Sequence, residues 1–114
     1  MTKEELRRIF YALSDDIRLE IISVLLKEEE ICVCSFMKHF NISQPNISFH
    51  LRILKDASLL KARKQGKWVY YSINKENQVL ELLKDVIIES INVDMLHGIL
   101  VEDLSCSIEE GPRS

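Results

Sequence analysis

Apolar positions recur at helical spacing through most of the chain. Leu6, Ile9, Phe10 and Leu13 follow the i, i+3, i+4, i+7 rule and predict a first amphipathic helix. Ile17, Ile21, Ile22, Leu25 and Leu26 make the apolar face of a second, with Ser14 as its N-cap and Asp15 and Asp16 in its first turn. Lys27 to Glu30 read as a polar connection, and a short helix is predicted across roughly Cys32 to Phe40. Ile47, Leu51 and Leu54 line a fourth helix that ends near Ala57, with Ser43 as N-cap and Pro45 in the first turn. A turn of about four residues joins these two helices, as in a helix-turn-helix. The period then changes. Leu60 to Lys64 and Trp68 to Ile73 are rich in strand formers, and Gln65, Gly66 and Lys67 supply a turn in which Gly66 takes positive φ. Asn74 is predicted to cap a last helix. Its stripe from Val79 to Ile91 is too wide for one small domain to bury, so a helix of a second subunit is expected against it. The expected fold is mainly α (α+β): a winged helix-turn-helix with a two-stranded β-hairpin wing. Residues 1–104 are read as one domain for DNA binding and dimerisation, and 105–114 as a flexible acidic tail.

Composition narrows the class. With 46% hydrophobic and 29% charged residues, the 114-residue chain fits a globular protein rather than a disordered one. No apolar stretch approaches the ~20 residues of a membrane span. The charged start MTKEELRR does not resemble a secretory leader, so a cytoplasmic protein without membrane contact is expected. The net charge of −3 hides an asymmetry: residues 1–35 carry −3, 36–74 carry +6 and 75–114 carry −6. A basic middle suits a phosphate-binding surface, and clustered charge on a solvated face also fits.

The helix starting at Ser43 is the candidate reading element for a double-stranded DNA operator. Gln44 and Asn46 carry amides that pair bidentately with adenine. Ser43 and Ser48 suit phosphates or base edges, and His50 and Arg52 add donors. Arg63, Lys64 and Lys67 on the hairpin suit the DNA backbone or minor groove. The same polar residues also fit a helix face turned to water. No Gly-rich phosphate loop, nucleophile elbow or HExxH string is present, so an enzyme is not expected.

Three strings carry a family resemblance. SQPNISFHLRILKDASLLKARKQGKWVYYSI at 43–73 resembles the recognition helix and wing of the ArsR/SmtB family of metalloregulatory repressors. ALSDDIRLEIISVLL at 12–26 resembles that family's second helix, and ICVCSF at 31–36 resembles the thiol site of its arsenic-responsive branch. The resemblance implies a homodimer paired through its first and last helices. It also implies a repressor that needs no cofactor to bind DNA and leaves its operator when an inducer, As(III) or Sb(III), binds cysteine thiolates. Two positions depart from the pattern. Phe49 stands where a basic or polar residue is usual, and Ser58 replaces the usual Gly after the recognition helix.

Cys32, Cys34 and Cys106 are the only cysteines. In a cytoplasmic protein such thiols are ligands or redox groups more often than structural disulfides, although small buried hydrophobes are the plain alternative. Residues i and i+2 diverge by about 200° on a regular helix, so Cys32 and Cys34 converge only if the helix start is irregular. A thiophilic ion held by both is therefore expected to distort that start, just ahead of the reading helix. In the arsenic-responsive branch a third Cys lies three residues after the second, and here that position is Met37. A thioether suits Cu(I), and a Met at helical spacing is also ordinary core. Cys106 could complete the site. Asp94 and His97 read as surface residues, and His39 as a helix-face residue. Two other signals remain open. One is a redox or sulfide response through a bridge from Cys32 or Cys34 to Cys106, and the other is a Cu(I) response. A protein-interaction module is the alternative of another class.

Overall fold

The computed structural model describes residues 1–91. Five helices and three short strands follow in the order α1 (Lys3–Ala12), α2 (Asp16–Lys27), β1 (Ile31–Cys32), α3 (Val33–Phe40), α4 (Gln44–Asp56), β2 (Leu60–Gln65), β3 (Trp68–Ile73) and α5 (Gln78–Ser90). The expected winged helix-turn-helix is present. Its wing is larger than expected, because β1 adds to the hairpin and gives an antiparallel sheet of order β1-β3-β2. Ile31 pairs with Tyr71 and Cys32 with Tyr70, so the segment expected to open α3 is extended instead.

Local chemistry sets the boundaries. Thr2 and Glu5 form a capping box that starts α1. Asp15, not Ser14, caps α2 by accepting from the Arg18 amide, while the Ser14 hydroxyl donates to the Tyr11 carbonyl. Ser43 caps α4 as expected, with Pro in its first turn. Asn77, not Asn74, caps α5. Asn74 instead turns the chain ahead of it, accepting from the Glu76 amide and donating through Nδ2 to the Ser58 carbonyl.

Ser58 takes φ 65°, the left-handed value usually given to Gly, and closes α4 in a Schellman pattern. Its amide donates to the Lys55 carbonyl and the Leu59 amide to the Leu54 carbonyl. The loss of Gly therefore leaves the turn unchanged. Gly66 has φ 62° at the wing tip, as the hairpin requires.

Phe36, Ile21, Ile22, Ile47, Leu51 and Leu80 are fully buried and tie α2, α3, α4 and α5 into one core. Each such side chain stabilises the fold by roughly 1.5–3 kcal/mol. Other large apolar groups stay outside. Phe10 and Tyr11 on α1, and Leu82 and Val86 on α5, are exposed, Leu82 by 81%. These belong to the two helices expected to pair with a second subunit. The tail from 92 onward, with Asp94, His97 and Cys106, lies outside the described residues.

Candidate nucleic-acid interface and thiol pair

Helix α4 buries Ile47, His50, Leu51 and Leu54 and turns its other face outward. On that face Gln44, Ser48 and Arg52 fall in one i, i+4, i+8 row, with Phe49 beside them. Gln44, Asn46 and Arg52 are exposed and Ser48 is half-buried. Phe49 is also exposed, which leaves its ring free to meet an apolar base edge such as a thymine methyl. Ser43 is exposed, but its Oγ already accepts from the Asn46 amide.

His50 departs from its expected place. It is buried, and its Nδ1 lies 3.1 Å from Arg18 Nη1 and 3.8 Å from Asp15 Oδ2. A ring on the core side of α4 cannot reach a base edge, so His50 is removed from the reading surface. Burial first, and the Arg18 charge to a lesser degree, lower its pKa below the ordinary 6.5, while Asp15 pulls the other way.

The wing carries Lys64 and Lys67, both exposed, close to its tip. Arg63 is exposed as well, but it is already engaged. Its Nε and Nη2 donate to both oxygens of Glu30 at 2.9 and 2.7 Å, and Nη1 donates to Gln65 Oε1 at 2.6 Å. The guanidinium also lies 4.8 Å from the centre of the Tyr70 ring. The hydrogen bonds from Arg63 hold the Glu30 carboxyl below its ordinary range, and those to Glu30 raise Arg63. Arg63 is thus a clamped mid-strand residue of the wing rather than a ready phosphate contact.

The thiol pair sits where sheet and helices meet. Cys32 ends β1 with extended backbone at the N-cap of α3, and Cys34 follows in the first turn. Their Sγ atoms lie 3.2 Å apart; Cys32 is a free thiol, whereas Cys34 is disulfide-bonded in this structure, so the two form a thiol pair in the reduced protein. The divergence expected on a regular helix is absent because Cys32 is outside the helix, so no distortion is needed to bring the sulfurs together. In the reduced protein, two thiolates on one tetrahedral ion with bonds of about 2.3 Å would stand about 3.8 Å apart, a small opening from the 3.2 Å separation. Cys32 is buried and its Sγ also lies 3.6 Å from Ser35 Oγ. Cys34 lines a groove of about 320 Å³ with Met37, Ile42, Gln44, Lys67 and Trp68. That groove runs from Cys34 to the first residue of α4 and the tip of the wing. Among the described residues no group of three or more His, Cys, Asp or Glu side chains could hold a metal ion.

Glu30, Arg18 and Tyr70 were not expected at the site. Glu30 meets Arg63 across 33 residues of sequence, and no local pattern marks such a pair.

Comparison with known proteins agrees with this architecture. Residues 15–62 match the family described as bacterial regulatory protein, arsR family. An arsenical resistance operon repressor of Bacillus subtilis is 35% identical over 109 residues, covering 92% of this chain and 87% of that one. A cadmium resistance transcriptional regulatory protein CadC homolog of Staphylococcus aureus is 44% identical over 73 residues, covering 64% of this chain and 60% of the relative's own length. Among solved structures, a homodimeric winged helix-turn-helix DNA-binding domain from Mycobacterium bovis, a possible ArsR-family regulator, superposes with a TM-score of 0.64. It shares 27% identity over 76% of this chain and 82% of its own.

Proposed function

The chain belongs to the arsR family of bacterial regulatory proteins, and on that premise we propose that it is a homodimeric repressor that leaves its DNA operator when As(III) or Sb(III) is held by Cys32, Cys34 and Cys106. It is a transcriptional regulator rather than an enzyme. Among the described residues no helix is long and apolar enough to cross a membrane. In this reading residues 1–104 form the working domain and Cys106 reaches back from the acidic tail.

The observation that carries the reading is the 3.2 Å approach of the two sulfurs between the wing sheet and the helix ahead of α4. A trivalent arsenic or antimony ion would supply an electrophile that takes up three thiolates of the reduced protein. What the chain contributes is placement. Cys32 is paired across β1 to Tyr70 in the central strand of the wing. Cys34 stands in α3, whose Phe36 packs in the same buried core as Ile47 and Leu51 of α4. A change of spacing at the pair therefore acts on both DNA-contacting elements through contiguous packing. Exposed Phe10, Tyr11, Leu82 and Val86 on α1 and α5 support pairing of two subunits through those helices.

Met37 lines the same groove as Cys34, which supports a second reading in which two thiolates and a thioether answer to Cu(I).

The test is fluorescence anisotropy of the reduced protein on its own promoter, with and without arsenite. Binding followed by arsenite release supports the proposal. Release by Cu(I) but not by arsenite selects the second reading. Release by oxidants or polysulfide alone selects a redox or sulfide sensor. Absence of any salt-dependent duplex binding points instead to a protein-interaction module.

A further inference from the structure

Arg63 is an expected wing contact whose charge is already matched by a carboxylate, and the geometry of that match is informative. Guanidinium and carboxylate meet fork to fork, with Nε and Nη2 on the two oxygens of Glu30. A DNA phosphate offers the same pair of anionic oxygens to the same two donors. Gln65 and the Tyr70 ring hold the guanidinium from other sides, so the fork stays oriented whichever anion fills it. The pair is partly open to water: the side chains of Arg63 and Glu30 are 50% and 31% exposed. Ion pairs of that exposure are weak and exchange partners readily. Glu30 also lies at the sheet's edge of the thiol site, next to β1 and two residues ahead of Cys32.

We infer that Glu30 is an internal competitor for DNA: in the free protein it occupies the place that a backbone phosphate takes on Arg63, and so it limits the affinity of the wing. The inference rests on the DNA-binding reading above. Glu30 is a positioning residue here, acting through Arg63 rather than on DNA. Because it leads directly into β1, displacement of that strand moves the competitor as well as the thiols.

The test uses a labelled 30-base-pair duplex of unrelated sequence, titrated with the full chain at several salt concentrations. Four proteins are compared: wild type, Glu30→Gln, Arg63→Ala and the double variant. Release of Arg63 adds about one phosphate contact, which steepens the salt slope by about 0.9 and tightens binding by up to about 8-fold near 0.1 M salt. Glu30→Gln should show this gain, and the double variant should bind like Arg63→Ala. Unchanged affinity and slope in Glu30→Gln overturns the inference. An equal gain in the Arg63→Ala background also overturns it, because the effect is then general charge and not competition for the fork. Failure of the wild type to bind the duplex removes the DNA-binding reading together with the inference, and is told apart by that control.

Discussion

Arg18 reaches from α2 to His50 on the reading helix, with Nη1 3.1 Å from Nδ1. Arginine has no acceptor, so His50 accepts through Nδ1 and carries its proton on Nε2. The same buried guanidinium donates through Nε to the Ala12 carbonyl and through Nη2 to the Tyr11 carbonyl at the end of α1. One side chain thus caps the first helix and braces the reading helix from behind.

That arrangement gives a pH dependence with a defined sign. Burial lowers the His50 pKa below 6.5, so between the folded and ordinary values the unfolded chain binds more protons. The stability this site contributes is fully present above about pH 6.5 and is lost as pH falls through the folded value. Arg18 and Asp15 are the charged groups facing the ring. Urea denaturation of wild type and His50→Gln should show a stability difference that shrinks below about pH 6.5. A difference constant with pH contradicts the assignment.

Ser58 carries a second, local cost. A side chain at φ 65° is disfavoured by ~1–2 kcal/mol, and glycine removes that strain at some expense in unfolded-chain entropy. Ser58→Gly is expected to stabilise the fold by about 0.5–1 kcal/mol, and Ser58→Val to destabilise it by at least as much. Thermal melts of both variants check this, and a destabilised Gly variant is the contrary result.

The helices were legible in the sequence wherever an apolar row was long. Ile47, Leu51 and Leu54 announced α4, and the same i, i+3 spacing from Ile47 also placed His50 inward, a signal overridden by its polar type. Two caps slipped because several candidates stood close together: Asp15 beside Ser14, and Asn77 beside Asn74. Strand β1 has two residues, too few for alternation to show. It decides the thiol geometry, since an extended Cys32 lets the sulfurs meet. The Glu30–Arg63 clamp depends on tertiary pairing alone and left no mark in the sequence.

Dimerisation is expected to depend on the exposed apolar residues of α5. Leu82→Glu with Val86→Glu should leave the monomer folded, because both side chains lie outside the core, and should shift the protein from dimer to monomer. Analytical ultracentrifugation reads the outcome. A variant that stays dimeric moves the interface elsewhere.

Lys64 and Lys67 are exposed on the wing. Lys64→Ala with Lys67→Ala should weaken binding to all duplex sequences alike and flatten the salt slope by about two. Titrations on promoter and unrelated duplex at several salt concentrations test this. An unchanged slope takes the wing out of the interface.

The most direct test of the account addresses the thiol pair itself. Promoter anisotropy of reduced wild type, Cys32→Ser and Cys34→Ser is measured before and after arsenite. The account predicts that all three bind the promoter with similar affinity, because neither residue lies on the exposed face of α4, and that only the wild type is released. Arsenite release of both serine variants at the wild-type concentration would contradict it.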